Sequence, residues 1–182
     1  MLKIIVPNRY LPWVRDVCLW FIPALFLLSS CDFKVPLTSK HSIGIDQAVL
    51  GSWELIAEKG QEADPSGTVT IKVYQFSETE YLIHYFEAGS SYYFRGYPIN
   101  IEGVEAVQLD LLGSDEELVA KDDEDRFHVA SYEWLNGQLV IRTLNSEVVD
   151  DDISDSESLR KAFLANKDNP DLFQDPGVFK RL

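Results

Sequence analysis

Tyr132-Glu133-Trp134-Leu135-Asn136-Gly137-Gln138-Leu139-Val140-Ile141 is the stretch on which the fold reading turns. Two runs rich in aromatic and β-branched residues flank Asn-Gly. That dipeptide suits a type I′ turn, because both of its residues tolerate positive φ. The stretch therefore predicts an antiparallel β-hairpin. Upstream, Val69-Thr70-Ile71-Lys72-Val73 alternates apolar and polar residues, as does Val107 to Leu111 with Gln108 and Asp110 between. Period-two alternation is the mark of a strand with one buried face.

Further strands are expected at Gly51 to Ile56, at Tyr81 to Phe86, which is apolar on both faces, and at Tyr92 to Ile99. Gly96 and Pro98 interrupt the last of these, which predicts an edge strand or a bulge. Gly113 to Asp125 reads as a long acidic loop. Ser154 and Glu157 form a capping box ahead of Leu159, Ala162 and Phe163 at helical spacing. The resulting helix should end near Asn166, before Asn169-Pro170, and Gly177 to Leu182 supplies a last short strand.

The N-terminal region is of a different kind. Lys3, Arg9 and Arg15 precede a short apolar run, Val17 to Leu28, which ends in Leu28-Ser29-Ser30-Cys31. A basic segment, an apolar segment and small residues before a cut are the parts of a secretory signal. The apolar run falls short of the roughly 20 residues that span a bilayer. Leu28-Ser29-Ser30-Cys31 resembles the lipobox of bacterial lipoproteins at all four positions. The resemblance implies removal of residues 1–30 and lipidation of Cys31. It also implies a location in the bacterial envelope facing the periplasm, with the membrane as a partner through the anchor. Asp32 resembles the inner-membrane retention signal of enterobacteria. Residues 31–48, with Pro36, Thr38, Ser39, Ser42 and Gly44, read as the lipidated cysteine and a flexible tether, and residues 49–182 as one β-rich domain.

The chain carries a net charge of −14, and residues 32–182 contain no cysteine. Without residues 1–30 the charge is −16 over 152 residues. No disulfide can form within that part, so a hydrophobic core must stabilise it. The acidic balance argues against nucleic acid, whose partners carry a basic face.

Gly51-Ser52-Trp53 matches the Gly-x-Trp that opens the first strand of the lipocalins, and the order of strand meander, helix and terminal strand is similar to theirs. The resemblance implies a mainly β fold: an antiparallel meander forming a lipocalin-like barrel or half-barrel, with one C-terminal helix and a short terminal strand. In that family the Trp closes one end of the barrel and an Arg from a late strand packs over it. Trp53 and Arg142 are the matching candidates. The architecture is also similar to that of uncharacterised envelope lipoproteins, which imply no activity.

Few residues point to chemistry. No thiol is present in the domain, no Gly-x-Ser-x-Gly elbow, and no Gly-rich phosphate loop. No catalytic residue is assigned, and the reading leans away from an enzyme. No cofactor and no metal site is assigned either. His84 and His128 lie in separate predicted strands and could meet across a sheet. Asp122-Asp123-Glu124-Asp125 and Asp150-Asp151-Asp152 lack EF-hand spacing, and solvated loops are their ordinary reading. The aromatic density of Tyr81, Tyr85, Tyr92, Tyr93 and Tyr97 is the functional lead. Tyr combines an apolar ring with a polar tip, which suits ligand pockets and interfaces. By alternation Tyr81 and Tyr85 share a face, and Tyr92 and Tyr93 point opposite ways. The expected function is binding of a small or apolar ligand. The alternatives are an interaction or structural protein with an envelope partner, and, third, a hydrolase.

Overall fold

The computed structural model describes residues 32–56, 67–120 and 126–182. The signal segment, Cys31 and the acidic run Asp122–Asp125 lie outside the described residues.

Eight antiparallel strands form a closed barrel in meander order. They are β1 (Gly51–Leu55), β2 (Thr70–Gln75), β3 (Tyr81–Glu87), β4 (Ser90–Ile101), β5 (Val104–Ser114), β6 (Phe127–Leu135), β7 (Gln138–Leu144) and β8 (Phe173–Arg181). Helix α1 (Ser156–Ala165) lies between β7 and β8. Closure comes from β8, which pairs with β7 on one side and with β1 on the other. The terminal strand is longer than the sequence suggests because Phe173 and Gln174 also pair with β7, ahead of an irregularity in the ladder.

The Asn136-Gly137 turn has φ of 53° and 80°, as its residues demand. Ala88-Gly89 (51° and 91°) and Glu102-Gly103 (50° and 94°) make the same kind of turn at either end of β4. Ala and Glu seldom adopt positive φ, so neither turn was legible beforehand. Between them β4 runs unbroken through Gly96 and Pro98, and it is not an edge. Its pairing with β3 ends at Gly96, while its pairing with β5 continues to Ile101. Pro98 thus sits where one neighbour is already gone and its missing N–H costs no ladder bond. The irregularity lies instead at Tyr93/Phe94 against β5.

Asp155, one residue past the predicted Ser154, caps α1. Its carboxylate accepts from the Ser158 N–H at 2.9 Å. Leu159 and Phe163 turn inward and are fully buried.

Two hydrophobic cores result. One fills the barrel and includes Trp53, Ile71, Tyr85, Phe94, Leu139 and Phe179. The other lies outside it, where Tyr97, Ile99, Ala106 and Val129 on the outer face of β4–β6 are covered by α1 and by the segment before β1. That segment is not a tether. Phe33 and Leu37 are 0% and 2% exposed. Phe33 pairs its backbone with Phe127, and the Leu37 N–H donates to Gln108 Oε1 at 2.8 Å. Gln108, fully buried, in turn donates to the His128 carbonyl at 2.9 Å. Thr38 O accepts from the Tyr97 hydroxyl at 2.6 Å, and the His41 ring stacks on Tyr97 with centroids 3.8 Å apart. Burial, and secondarily the charge of Asp110, pushes the Tyr97 hydroxyl up to about 12, so it stays a donor.

Glu80 receives both Arg95 and His41. Burial alone would raise its carboxyl, but these two partners outweigh it and hold the group below its ordinary value. A carboxyl so lowered stabilises the fold above about pH 4.5 and loses that contribution as pH falls through its folded value. The strap thus runs the length of the barrel. It is pinned at the start of β6, over the middle of β5 and β4, and at the β2–β3 turn, where the Ile45 N–H donates to Glu78 O. Low periodicity hid it, because its apolar contacts come from single residues spaced by turns.

Phe33→Ala should destabilise the domain by about 3–5 kcal/mol, the range for a buried aromatic. A residue in a free tether would change it by no more than about 0.5 kcal/mol. A urea melt of the two proteins distinguishes these outcomes.

Candidate functional site

The ends of the barrel are unlike. At one end the chain enters β1 through a single 3-10 turn, Gln47–Val49, capped by Asp46, whose side chain accepts from Ala48 N. Trp53, 1% exposed, donates its indole N–H to Val49 O at 2.9 Å. Above the ring, at 5.3 Å, lies the guanidinium of Arg181, which also donates to Leu50 O at 2.8 Å. Trp134 packs against Trp53 from the end of β6, centroids 5.5 Å apart.

The arginine over the Trp is therefore Arg181 and not Arg142. β8 lies between β7 and β1, and Arg181 is the register partner of Trp53. Arg142 lies on β7 and pairs with Glu133 at 2.7 Å on the outside. Gly51 has φ of 132°, and a Cβ there would approach the Arg181 guanidinium to 3.2 Å. Glycine two residues before the Trp is thus what lets the arginine reach it.

Between the ends lies a cavity of about 140 Å³. An eight-stranded barrel is just wide enough to be filled by side chains or to hold one small ligand. Here it is incompletely filled. Ile71, Val73, Ile83, Val107, Leu139 and Phe179 supply most of its walls. At about 24 cal/mol per Å³, a void of this size forgoes roughly 3 kcal/mol of packing.

The five singled-out tyrosines separate. Tyr81 and Tyr85 line the cavity. Tyr92, the register partner of Tyr85, packs at the border of the same core. Tyr93 stands outside, its ring stacked on His84 at 4.9 Å. Tyr97 also points outward, under the strap. Tyr132 lines the cavity too, and was not singled out, because one Tyr in an alternating strand gives no density signal.

The tyrosine hydroxyls are committed at the cavity's ends. Tyr81 accepts from Asp46 N at 2.7 Å, and Tyr132 donates to the Asp46 carboxylate at 3.2 Å. Tyr85 donates to Glu87 at 2.8 Å. Burial raises all three above the ordinary tyrosine value, and the charge of Asp46 beside Tyr81 and Tyr132 and of Glu87 beside Tyr85 adds to it. They carry no charge at neutral pH.

His128 is the one nitrogen-bearing side chain among the cavity's lining residues. Its Nδ1 lies 3.0 Å from an Asp32 oxygen. Its ring meets the Phe94 edge at 5.5 Å, and Nε2 has no hydrogen-bond partner. Burial pushes the imidazole down to about 4, so it is neutral at pH 7. Nδ1 and that Asp32 oxygen lie outside hydrogen-bond geometry, since neither the oxygen nor Nε2 makes a hydrogen bond, and a neutral ring offers one donor and one acceptor nitrogen. No hydroxyl is bonded to Nε2, so Asp32–His128 lacks the nucleophile that an acyl-transfer triad needs. The Asp32 side chain is 38% exposed, while the His128 side chain is only 10% exposed.

His84 and His128 do not meet. β3 and β6 are not neighbours, and the two rings lie on opposite faces of the barrel wall. Burial, with Lys72 nearby, lowers His84 from its ordinary value. The carboxylates of Asp150, Asp151 and Asp152 converge at the surface, and Asp152 pairs with Lys34 at 2.9 Å. Among the described residues no other group of acids, histidines or cysteines converges in this way. The helices described include none long and apolar enough to cross a membrane.

A histidine held neutral by the fold makes stability pH-dependent in a defined sense. Below about pH 6.5 the unfolded chain binds a proton that the folded chain refuses until pH 4. Stability therefore falls across that window, by up to about 3 kcal/mol at 1.36 kcal/mol per pH unit. His128→Gln should flatten the profile between pH 6.5 and 4 in denaturant melts, leaving the carboxylate-driven loss below it.

Comparison with protein-family models, curated proteins and solved structures finds no match to this chain.

Proposed function

We propose that this is a non-enzymatic envelope protein, anchored by lipid on Cys31, that binds a small apolar ligand inside its barrel. The cavity is the observation that carries this reading. A void of about 140 Å³ is close to the roughly 150 Å³ apolar cavity that stays dry and accepts benzene. Its walls are apolar, its tyrosine hydroxyls are already bonded, and its imidazole is uncharged. A charged ligand would find no counter-ion within and would lose its hydration. An uncharged ligand with an apolar body of about six to eight heavy atoms loses little and fills the void. The unpartnered Nε2 favours one hydrogen-bonding group on that ligand, such as a hydroxyl, which can donate or accept.

The anchor rests on the four-residue lipobox and the basic and apolar segments before it. Two or more acyl chains hold a protein stably at a membrane. The chain would then face the periplasm, with Asp32 favouring the inner membrane.

A second reading, a protein that binds an envelope partner, has one observation in its favour. Phe76, Trp134, Leu135 and Leu182 are exposed around the Trp53 end. The cavity has the better claim, because a rim of single exposed apolar residues is common on folded proteins.

Uncharged 1-hexanol tests the cavity. At 100 times its Kd a ligand adds about 2.7 kcal/mol, and a domain of this size gains roughly 2–4 °C in Tm per kcal/mol. Wild type should rise by several degrees, and hexanoate should do far less. Ala130→Leu, which fills the cavity from β6, should abolish the rise while the protein remains folded. A hexanol response unchanged by Ala130→Leu would place binding elsewhere.

The anchor is tested separately. Metabolic labelling with a fatty-acid probe should mark the wild type, and Cys31→Ala should lose the label and leave the membrane fraction or persist as precursor. Equal labelling of both proteins rules the anchor out.

A further inference from the structure

We propose that the cavity exchanges its ligand through the barrel wall, at the seam between β5 and β6, with the groove outside that seam as its antechamber. The inference rests on ligand binding in the barrel. It adds the route, and a polar site outside the wall that receives the ligand first.

Paired strands lie about 4.7–4.9 Å apart and are joined by backbone hydrogen bonds. A ladder must therefore be broken before a ligand can pass it. At the β5–β6 seam the ladder is short. The two strands are 11 and 9 residues long, yet they pair only from Asp110 opposite Phe127 to Val107 opposite Ala130. Beyond that point residues 104–106 stay paired with β4 and residues 131–135 with β7, but not with each other. The seam is fastened at its other end, where the Leu111 N–H donates to Arg126 O at 2.9 Å and Arg126 pairs with Asp110 at 2.8 Å. Gln108, bonded to the His128 carbonyl, holds the ladder just short of the parting.

Ser131 carries the parting to the cavity. Side chains alternate across a strand, and His128, Ala130 and Tyr132 are the inward set on β6. Ser131 falls between them, opposite Arg142, and faces outward. It lines the cavity all the same. An outward residue borders an interior only where the edge of its strand is uncovered. Ser131 also lines a groove of about 440 Å³ on the outer face, walled by Val104 of β5, Glu133 of β6, Arg142 of β7 and the connection between α1 and β8. One residue thus stands between groove and cavity.

The groove differs chemically from the cavity. The two cations on its wall are already paired, Arg142 with Glu133 at 2.7 Å and Lys167 with Glu102 at 3.6 Å. It therefore offers donors and acceptors without net charge. Ser131 and Asn169 add a hydroxyl and an amide, and Phe173 an apolar face. Inside the wall the next hydroxyl is that of Thr143, opposite Ala130 where the ladder ends. The ligand class is a short uncharged alcohol of the size the cavity holds. Its hydroxyl keeps a polar partner on each side of the seam.

Exchange is read by fluorine NMR on the full mature chain, anchor included, with 6-fluorohexan-1-ol as the probe. The off-rate of bound probe does not depend on how much free probe the detergent takes up. Ala106→Cys with Ser131→Cys sets two thiols where the next pair of the ladder would stand, and residues 32–182 hold no other thiol. A disulfide needs Cα atoms within about 7 Å, so it holds the seam closed. In the oxidised protein the off-rate should fall several-fold, and reduction should restore it. A staple across the paired β1–β2 seam, Ser52→Cys with Lys72→Cys, should leave the off-rate unchanged. Val104→Trp, which fills the groove without a staple, should slow exchange several-fold as well.

An off-rate that the β5–β6 staple leaves unchanged, or that the β1–β2 staple lowers as much, overturns the route. Should the β5–β6 disulfide not form, an off-rate unchanged by Val104→Trp overturns it. Wild type that binds no probe removes the underlying reading instead, so the two failures are distinct.

Discussion

A sheet that ends has two unpaired edges, and an eight-stranded meander has an inside only if its last strand reaches its first. Here that contact is β8 against β1, with Arg181 opposite Trp53, Lys180 opposite Glu54 and Phe179 opposite Leu55. Backbone bonds close the ladder, Lys180 and Glu54 pair at 2.8 Å outside, and Phe179 is buried inside. At the end of the seam the guanidinium covers the Trp53 ring. Closure also requires α1, which carries the chain from β7 back to the seam and packs Leu159 and Phe163 onto the outer core. Without the seam there would be no cavity, and the apolar inner face would be a surface liable to aggregation.

The strap depends on the barrel and modifies it in return. It covers apolar residues on β4–β6 that would otherwise face water, and burying each of Phe33 and Leu37 contributes roughly 1.5–3 kcal/mol. Gln108 shows how closely it is built in. A fully buried amide is costly unless bonded, and here it takes the Leu37 N–H at one side and gives to the His128 carbonyl at the other. The outer core is thus connected to the residue at the cavity's end through one side chain and one backbone carbonyl. A change that frees the strap would be felt at His128 before it reached the far walls.

Alternation, one Asn-Gly turn and a capping pattern were enough to place all eight strands and the helix near their positions, because each is a local rule. The Gly51-Ser52-Trp53 motif pointed to the end plug. What failed was non-local. The resemblance points to a late-strand arginine, Arg142 on β7, as the partner of Trp53, whereas strand adjacency after closure puts Arg181 there. The segment reads as a linker because Phe33, Leu37 and His41, which pack onto the outer core and onto Tyr97, have no common period to betray them. Ala88-Gly89 and Glu102-Gly103 turn against their own preferences, held by the long strands on either side. Of the tyrosines, density identified the right hairpin, but only alternation separated the inward Tyr81 and Tyr85 from the outward Tyr93 and Tyr97.

The contrast between outside and inside narrows what the cavity can accept. The surface is strongly acidic, and the nearest charges to the cavity are carboxylates: Asp46 behind Tyr81 and Tyr132, Glu87 behind Tyr85, and Asp32 behind His128. Each is engaged by a tyrosine or imidazole that itself stays neutral. These neutral groups act as insulators, turning their polar ends to the carboxylates and their rings to the void. An anion entering would face negative potential from all three directions with no cation among the lining residues to meet it. A cation would find the carboxylates screened by rings. What remains is the uncharged, unpartnered Nε2 and the hydroxyls of Ser131 and Thr143 among the lining residues. The polarity of the site therefore selects for an uncharged molecule, and the few polar groups on its wall select where that molecule's own polar atom lies.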